Sequence, residues 1–211
     1  MKKAILIVFL ILVFDQVLKI WIKTTMYMGE NQAIFGHWFY IHFTENEGMA
    51  FGMKLGGDYG KLLLSLFRIV AVIVMGWWLY KVTRKGASNI LIVCISLIIA
   101  GALGNILDSA FYGLIFNEST YMQVATLFPP EGGYASFLHG KVVDMLYFPL
   151  IETRYPEWIP WAGGEEFIFF RPVFNIADSS ITTGVLMLIV FQKKVFPKEN
   201  VLPNTDASPN P

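Results

Sequence analysis

Charge and cysteine are what this chain has least of. Only 15% of its 211 residues are charged while 55% are hydrophobic, and the mean hydropathy is +0.53. An ordinary soluble domain is far more polar than this. The formal net charge is zero, which removes the basic footprint that a nucleic-acid partner would need. There is one cysteine, Cys94, so no internal disulfide can form; inside an apolar run it reads as a small buried hydrophobe. His37, His42 and His139 show no HExxH spacing for zinc. No Gly-x-Ser-x-Gly elbow exists, and Ser65, Ser96, Ser179 and Ser180 have no histidine partner at a matching depth. A phosphate-cradling Walker loop, a dinucleotide fingerprint, an internal repeat and a second soluble domain are also missing. Without a dense Asp-x-x-Asp cluster, a magnesium-dependent lipid transferase is set aside as well.

What is present is apolar sequence in long stretches. Four runs, residues 4–22, 62–80, 89–107 and 174–192, are each long enough for a bilayer crossing of about 20 helical residues. Lys2 and Lys3 ahead of the first run imitate a secretion signal. Asp15 and Lys19 interrupt its core, however, and no small-x-small cleavage site follows, so a retained first helix is expected. With both termini inside, the inner segments hold Lys2, Lys3, Lys81, Arg84, Lys85, Lys193, Lys194 and Lys198 against Glu199 and Asp206. That asymmetry follows the positive-inside rule and predicts cytoplasmic termini. The expected fold is therefore membrane all-α: four transmembrane helices in one integral-membrane domain over residues 1–195. A Pro- and Asn-rich, disordered cytoplasmic tail is expected over 196–211.

Two outward segments remain, roughly 23–61 and 109–173. In the first, alternation puts Phe39, Ile41 and Phe43 on one face and Trp38, Tyr40, His42 and Thr44 on the other, as in a β-ribbon at the headgroup level. In the second, Pro129-Pro130, Gly132-Gly133 and Trp158-Ile159-Pro160-Trp161 predict interfacial loop elements, with an amphipathic turn near 157–161.

The few polar residues of the spans carry the chemistry. Asp15 and Lys19, four apart, share a helix face, either as a self-neutralising pair or with Lys19 positioning a carbonyl or an anion. Gly101, Asn105 and Asp108 form one stripe beside the small-residue pair Ala100 and Gly104, which fits interhelical hydrogen bonding and direct site chemistry equally. Asn175 and Asp178 open the fourth run as a capping pair or as a functional one. Asn46 sits in a polar turn, Thr44-Glu45-Asn46-Glu47-Gly48, where its amide could hold a peptide backbone or merely shape the turn. Asp144 follows a short strand, and Asp108, Asp144 and Asp178 all fall at the same expected depth on the same side. An intramembrane carboxylate is costly unless it is paired or used. Two held close share a proton: one draws a proton from water while the other protonates a scissile carbonyl, with no metal or cofactor needed. A proton-coupled small transporter or scaffold could use the same carboxylates.

Five short pieces, in order along roughly residues 5–192, resemble the lipoprotein signal peptidases (signal peptidase II). They are Asp15-Gln16 with Lys19, Asn46-Glu47-Gly48-Met49-Ala50-Phe51, Gly101 to Asp108, Val142-Val143-Asp144, and Phe174-Asn175-Ile176-Ala177-Asp178-Ser179. The resemblance implies an inner-membrane aspartic peptidase with its site toward the extracytoplasmic face. It implies cleavage before the diacylglyceryl-modified cysteine of prolipoproteins, and sensitivity to cyclic peptides such as globomycin. It makes Asp144 and Asp178 the catalytic dyad. Asp15, Lys19, Asn46, Gly48, Gly104, Asn105, Asp108, Asn175 and Ala177 would bind substrate or support the site. Membrane lipids are the other partner implied. Two departures stand out. Ser109 occupies the place of the family's usual Arg, whose role would fall to Arg68, Arg171 or Lys141. The stretch from Asp108 to Asp144 is much longer than usual, and is expected to form a lid or an extra wall over the substrate groove.

Overall fold

A computed structural model describes residues 1–48, 57–161, 163–169 and 172–195. The expected tail over 196–211, Arg171, and the Met49-Ala50-Phe51 part of the polar turn lie outside the described residues. Three helices are long and apolar enough to cross a membrane. The first, α1, covers Lys2–Thr25; α2 covers Gly57–Arg84; α3 covers Asn89–Leu107, with Ser88 Oγ capping it by accepting the Leu91 N–H at 3.2 Å. Of the three, α3 is the most deeply buried and lies at the centre, while α1 and α2 turn apolar faces such as Phe9, Leu10 and Phe67, Val70 outward. Large apolar residues outside a helix pair are what lipid stabilises.

The expected fourth run is shorter than its hydropathy suggests. Helix α5 covers Ile176–Val190, 15 residues, or about 22 Å at about 1.5 Å per residue. Phe174 and Asn175, in the expected range, are instead the end of a strand and the helix cap. A further turn, α6 (Gln192–Val195), carries Lys193 and Lys194.

Helix α3 and helix α5 meet almost backbone to backbone. A Cβ on Gly101 would lie 2.1 Å from Ala177 O, and one on Gly184 would lie 2.8 Å from Cys94 O. Such approach depends on small residues, as in other membrane helix pairs. Beyond Leu107, α3 widens into a π-helical turn, Asp108–Tyr112, and closes with α4, Gly113–Ile115. Its last carbonyls cannot find partners inside the helix. The segment over 116–141 supplies them: Gly140 N–H donates to Ser109 O (2.8 Å), Ala135 to Gly113 O (2.9 Å), Phe128 to Ile115 O (2.7 Å) and Tyr134 to Phe116 O (3.0 Å). Met28 N–H also donates to Thr120 O at 3.1 Å, tying the segment to the end of α1. The long stretch expected to be a lid or wall is therefore fastened to the ends of α1 and α3, because those ends need its amides.

A four-stranded antiparallel sheet sits on the same end, in the order β1 (Asn31–Phe35), β2 (Phe39–Asn46), β3 (Val142–Tyr147), β6 (Val173–Phe174). In β2 the expected alternation holds: Ile41 and Phe43 are buried, and the intervening residues less so. Strand β3 uses the same period with a different outcome. Val143 and Met145 enter a core with Ile22, Met26, Phe43 and Phe116, so Asp144 between them faces the opposite side. A separate hairpin, β4 (Ile151–Arg154) with β5 (Glu166–Phe169), occupies much of the region read as irregular loop.

Replacing Gly101 by Val is expected to destabilise the protein by about 1–3 kcal/mol or more through overpacking against α5. Gly76→Val, on a face of α2 with no atom within 4 Å of the added Cβ, should leave stability near wild type. Thermal unfolding in detergent compares the two.

Candidate active site

Every sequence-predicted site residue among those described converges where α1, α3, β2, β3 and the head of α5 meet. Asp144, 3% exposed, comes from β3 opposite Thr44 of β2. Asp178, half-exposed, comes from the first turn of α5. Asn175 links them: its Nδ2 donates to Asp144 Oδ1 at 2.7 Å, and its Oδ1 accepts the Asp178 N–H at 2.8 Å. One side chain thus both caps α5, as one of the two sequence alternatives had it, and bonds Asp144. On its other oxygen Asp144 accepts from Asn46 Nδ2. Asp178 Oδ1 accepts from Asn105 Nδ2 at 2.8 Å.

Burial is the main reason that the Asp144 carboxyl is pushed up to about 7, and the nearby charge of Asp178 adds to it. The bond from Asn175, the charge of Lys19 and the bond from Asn46 pull the other way without prevailing. The protonated form of this carboxyl is therefore favoured relative to an ordinary exposed aspartate.

A layer of charge lies one residue behind the asparagines. Lys19 Nζ, fully buried, contacts Asp15 Oδ2 at 3.0 Å and Asp108 Oδ2 at 2.7 Å, and donates to Asn105 Oδ1 at 3.1 Å. The pairing of Asp15 with Lys19 is real but not self-contained, since Asp108 completes it from α3. Asp15 Oδ1 also accepts the Ala177 N–H at 2.9 Å, satisfying an orphan donor at the start of α5. Gly104 makes room for this: a Cβ there would lie 2.8 Å from Asp15 Oδ2 and 3.1 Å from Ala177 Cβ. Gln16, present in the sequence motif but given no role, donates to Asp108 Oδ1 at 2.8 Å and accepts from the Tyr112 hydroxyl at 3.1 Å.

The three cations considered in place of the family's usual Arg separate cleanly. Ser109 itself is buried and back-bonds to Asn105 O at 3.0 Å. Lys141 pairs with Glu118 at 2.9 Å and with Glu45 at 3.9 Å. Arg171 is outside the described residues. Arg68, reaching in from α2, donates to Gly48 O at 2.6 Å, and its charge acts on Asp178, Asp108 and Asp144. Gly48 has φ +85°, a left-handed conformation that favours glycine, and an added Cβ would lie 2.9 Å from Arg68 Nη1. Its N–H donates to Asn46 Oδ1, so Arg68 reaches the Asp144 partner through one residue.

A second buried cluster escaped sequence reading. Lys23 Nζ bonds Glu45 and, at 2.8 Å, Ser119 Oγ, with the Phe116 and Tyr134 rings beside it. The spacing of Asp15, Lys19 and Lys23 along one stripe of α1 was the available signal; the partner positions were not. Above the sheet, Trp38, Phe39 and Phe148 stack in a row whose last ring, Phe174, adjoins Asn175.

Two amide-held carboxylates thus lie together at the end of a helical bundle. The same architecture occurs in a bacterial membrane enzyme solved by the in meso method at 2.3 Å, with TM-score 0.61 and 25% identity over 96% of this chain and 95% of that one. A second such structure, at 1.9 Å, gives TM-score 0.59 and 27% identity. A family model described as signal peptidase (SPase) II matches residues 7–193, and the chain belongs to that family. The lipoprotein signal peptidase of Porphyromonas gingivalis is 54% identical over 190 residues, 90% of this chain and 82% of the relative. That of Amoebophilus asiaticus is 38% identical over 187 residues, 87% and 75% of the respective chains. Family membership makes the chain an aspartic peptidase of the signal peptidase II type and sets proton-coupled transport aside.

In Asp178→Asn the Asp144 carboxyl should titrate below its wild-type value, because a neighbouring negative charge is gone; carbon NMR of labelled aspartate would read this. Lys19→Met leaves Asp15 and Asp108 buried without their cation and should cost about 3–5 kcal/mol in detergent unfolding.

Proposed function

We propose that Asp144 and Asp178 are the catalytic dyad of this signal peptidase II, which removes signal peptides from prolipoproteins. The observation that carries the assignment is Asn175, which bonds both aspartates while a second asparagine is fixed on each carboxyl. Asp144 holds the shared proton and delivers it to the scissile carbonyl oxygen. Asp178, the more accessible partner, takes a proton from the attacking water. Asn46, Asn105 and Asn175 orient the two carboxyls without adding charge. Asp15, Lys19, Asp108, Gly104 and Ala177 form the bracket that holds those amides and the head of α5. Gly48 with Arg68 braces Asn46, and Arg68 supplies the positive charge that Ser109 does not.

The substrate is a prolipoprotein whose cysteine already bears diacylglycerol, and cleavage falls just before that cysteine. Its acyl chains stay in lipid and its signal helix lies along the spans, which brings the scissile bond to the depth of the carboxylates. Anchoring of this kind turns recognition into positioning and lowers the entropic barrier. The chain is one integral-membrane domain over residues 1–195 in the bacterial inner membrane, with four spans, α5 and α6 serving as the fourth. Lys193 and Lys194 at that end, with Lys2, Lys3 and Lys81, Arg84, support cytoplasmic termini and an extracytoplasmic site. Cyclic peptides such as globomycin would occupy the same groove.

A gel-shift cleavage assay with a diacylglyceryl-modified prolipoprotein tests this. Asp144→Asn and Asp178→Asn should each abolish cleavage while remaining folded; full activity in either removes that residue from the dyad. For the wild type, kcat/KM should fall as pH rises through about 7, since Asp144 carries its proton below that value and loses it above. Arg68→Met should lower cleavage more than Arg68→Lys, as a site needing charge and reach requires.

A further inference from the structure

Residues 119–130, Ser-Thr-Tyr-Met-Gln-Val-Ala-Thr-Leu-Phe-Pro-Pro, contain no Asp, Glu, Lys, Arg or His, although Glu118 and Glu131 stand on either side. An uncharged stretch on the surface of a folded protein normally hides its large side chains. Here Tyr121 is 77% exposed, Met122 92% and Phe128 72%. Phe128 also adopts φ 53°, a left-handed conformation rare for a bulky residue, and so holds its ring outward at a cost in backbone energy.

The position of this stretch accounts for both features. Phe128 N–H is bonded to Ile115 O at the last residue of α4, and Thr120 O to Met28 N–H just past the end of α1, so the segment runs across the ends of two lipid-facing helices. Phe137, further along the same segment, packs edge-on against Phe111 at 6.0 Å. Phe111 and Leu114 belong to the exposed wall of the extended third span, 45% and 46% exposed. The exposed apolar residues of the loop thus stand at the same end of the molecule as the apolar wall of the extended third span. Glu118, the acid at one edge, is neutralised by Lys141 at 2.9 Å.

We propose that residues 119–130 are an interfacial foot, which inserts Tyr121, Met122 and Phe128 into the headgroup–acyl boundary of the leaflet on the active-site side. Aromatic and flexible apolar side chains without charge suit that layer. The foot is rigidly joined to the chemistry. Gly140, at the other end of the segment, bonds Ser109 O, and an added Cβ there would lie 2.2 Å from Asp108 O. Seating the foot in the bilayer therefore sets the depth of Asp108 and of Asp144, which lies in β3 directly after the loop. This inference goes beyond the cleavage reaction and does not depend on which residues perform it.

The test places a nitroxide label, one site at a time, at Met122→Cys, Phe128→Cys and Glu131→Cys in the full chain carrying Cys94→Ala. The protein is reconstituted in nanodiscs of phosphatidylcholine and phosphatidylglycerol, and retained prolipoprotein cleavage reports that each variant is folded. Collision with oxygen should exceed collision with a water-soluble nickel chelate at 122 and 128, and the order should reverse at 131. Equal nickel access at 122 and 131 would overturn the proposal. Shielding from both reagents, with dipolar broadening between labels, would also overturn it and assign the surface to a second copy of the chain. Met122 decides the matter even if the strained position 128 tolerates no label, because its side chain already stands clear of the fold.

Discussion

A single ammonium group, Lys19 Nζ, makes the interior of this protein possible. It stands fully buried between Asp15 on its own helix and Asp108 on α3, and it also holds Asn105. Each carboxylate then does a second job. Asp15 receives the Ala177 N–H and so anchors the head of α5; Asp108 is oriented toward Gln16. Remove the cation and two negative charges face each other in a medium that solvates neither. With it in place, α1, α3 and the head of α5 are held together at one level, beside the proposed dyad of Asp144 and Asp178.

Neutral amides then separate this charged layer from Asp144 and Asp178, the proposed dyad. The hydrogen bonds recorded at the Asp144 and Asp178 side chains come from Asn46, Asn105 and Asn175, and the cation lies one contact further back. A direct lysine contact would hold a carboxylate ionised. Amides steer it while leaving burial and mutual repulsion free to favour proton sharing. The π-helical turn after Leu107 serves the same arrangement, because it ends α3 with carbonyls that accept from the segment leading into β3.

Much of this was legible in the chain, for identifiable reasons. The first three spans emerge from hydropathy because lipid demands continuous apolar sequence, and α3 begins at its expected residue because Ser88 caps it. Asn175 announced a helix start by the same chemistry. Strand β2 was visible through its period, since one face is buried. Strand β1 was not, being exposed along its whole length, and the β4–β5 hairpin lay in sequence without a recognisable pattern. Asp15 with Lys19 could be seen as neighbours on a helix, but Asp108 as the third member, 89 positions after Lys19, could not. The partnership of Lys23, Glu45 and Ser119 failed for that same reason: separation along the chain carries no local signature.

The geometry of the Asp15–Lys19 pair has a consequence for biogenesis. Helix α1 is made before α3, and so before Asp108 is on offer. Its carboxylate and ammonium, 3.0 Å apart in the finished fold, are four residues apart, a spacing at which they can pair within one helix, so the nascent helix can leave the translocon as a neutral dipole rather than as two bare ions. Lys23, a turn further on at the helix end, can extend toward the interface until Glu45 and Ser119 arrive. The local pairing that survives in the finished site is thus also the one that lets its first component enter the bilayer alone.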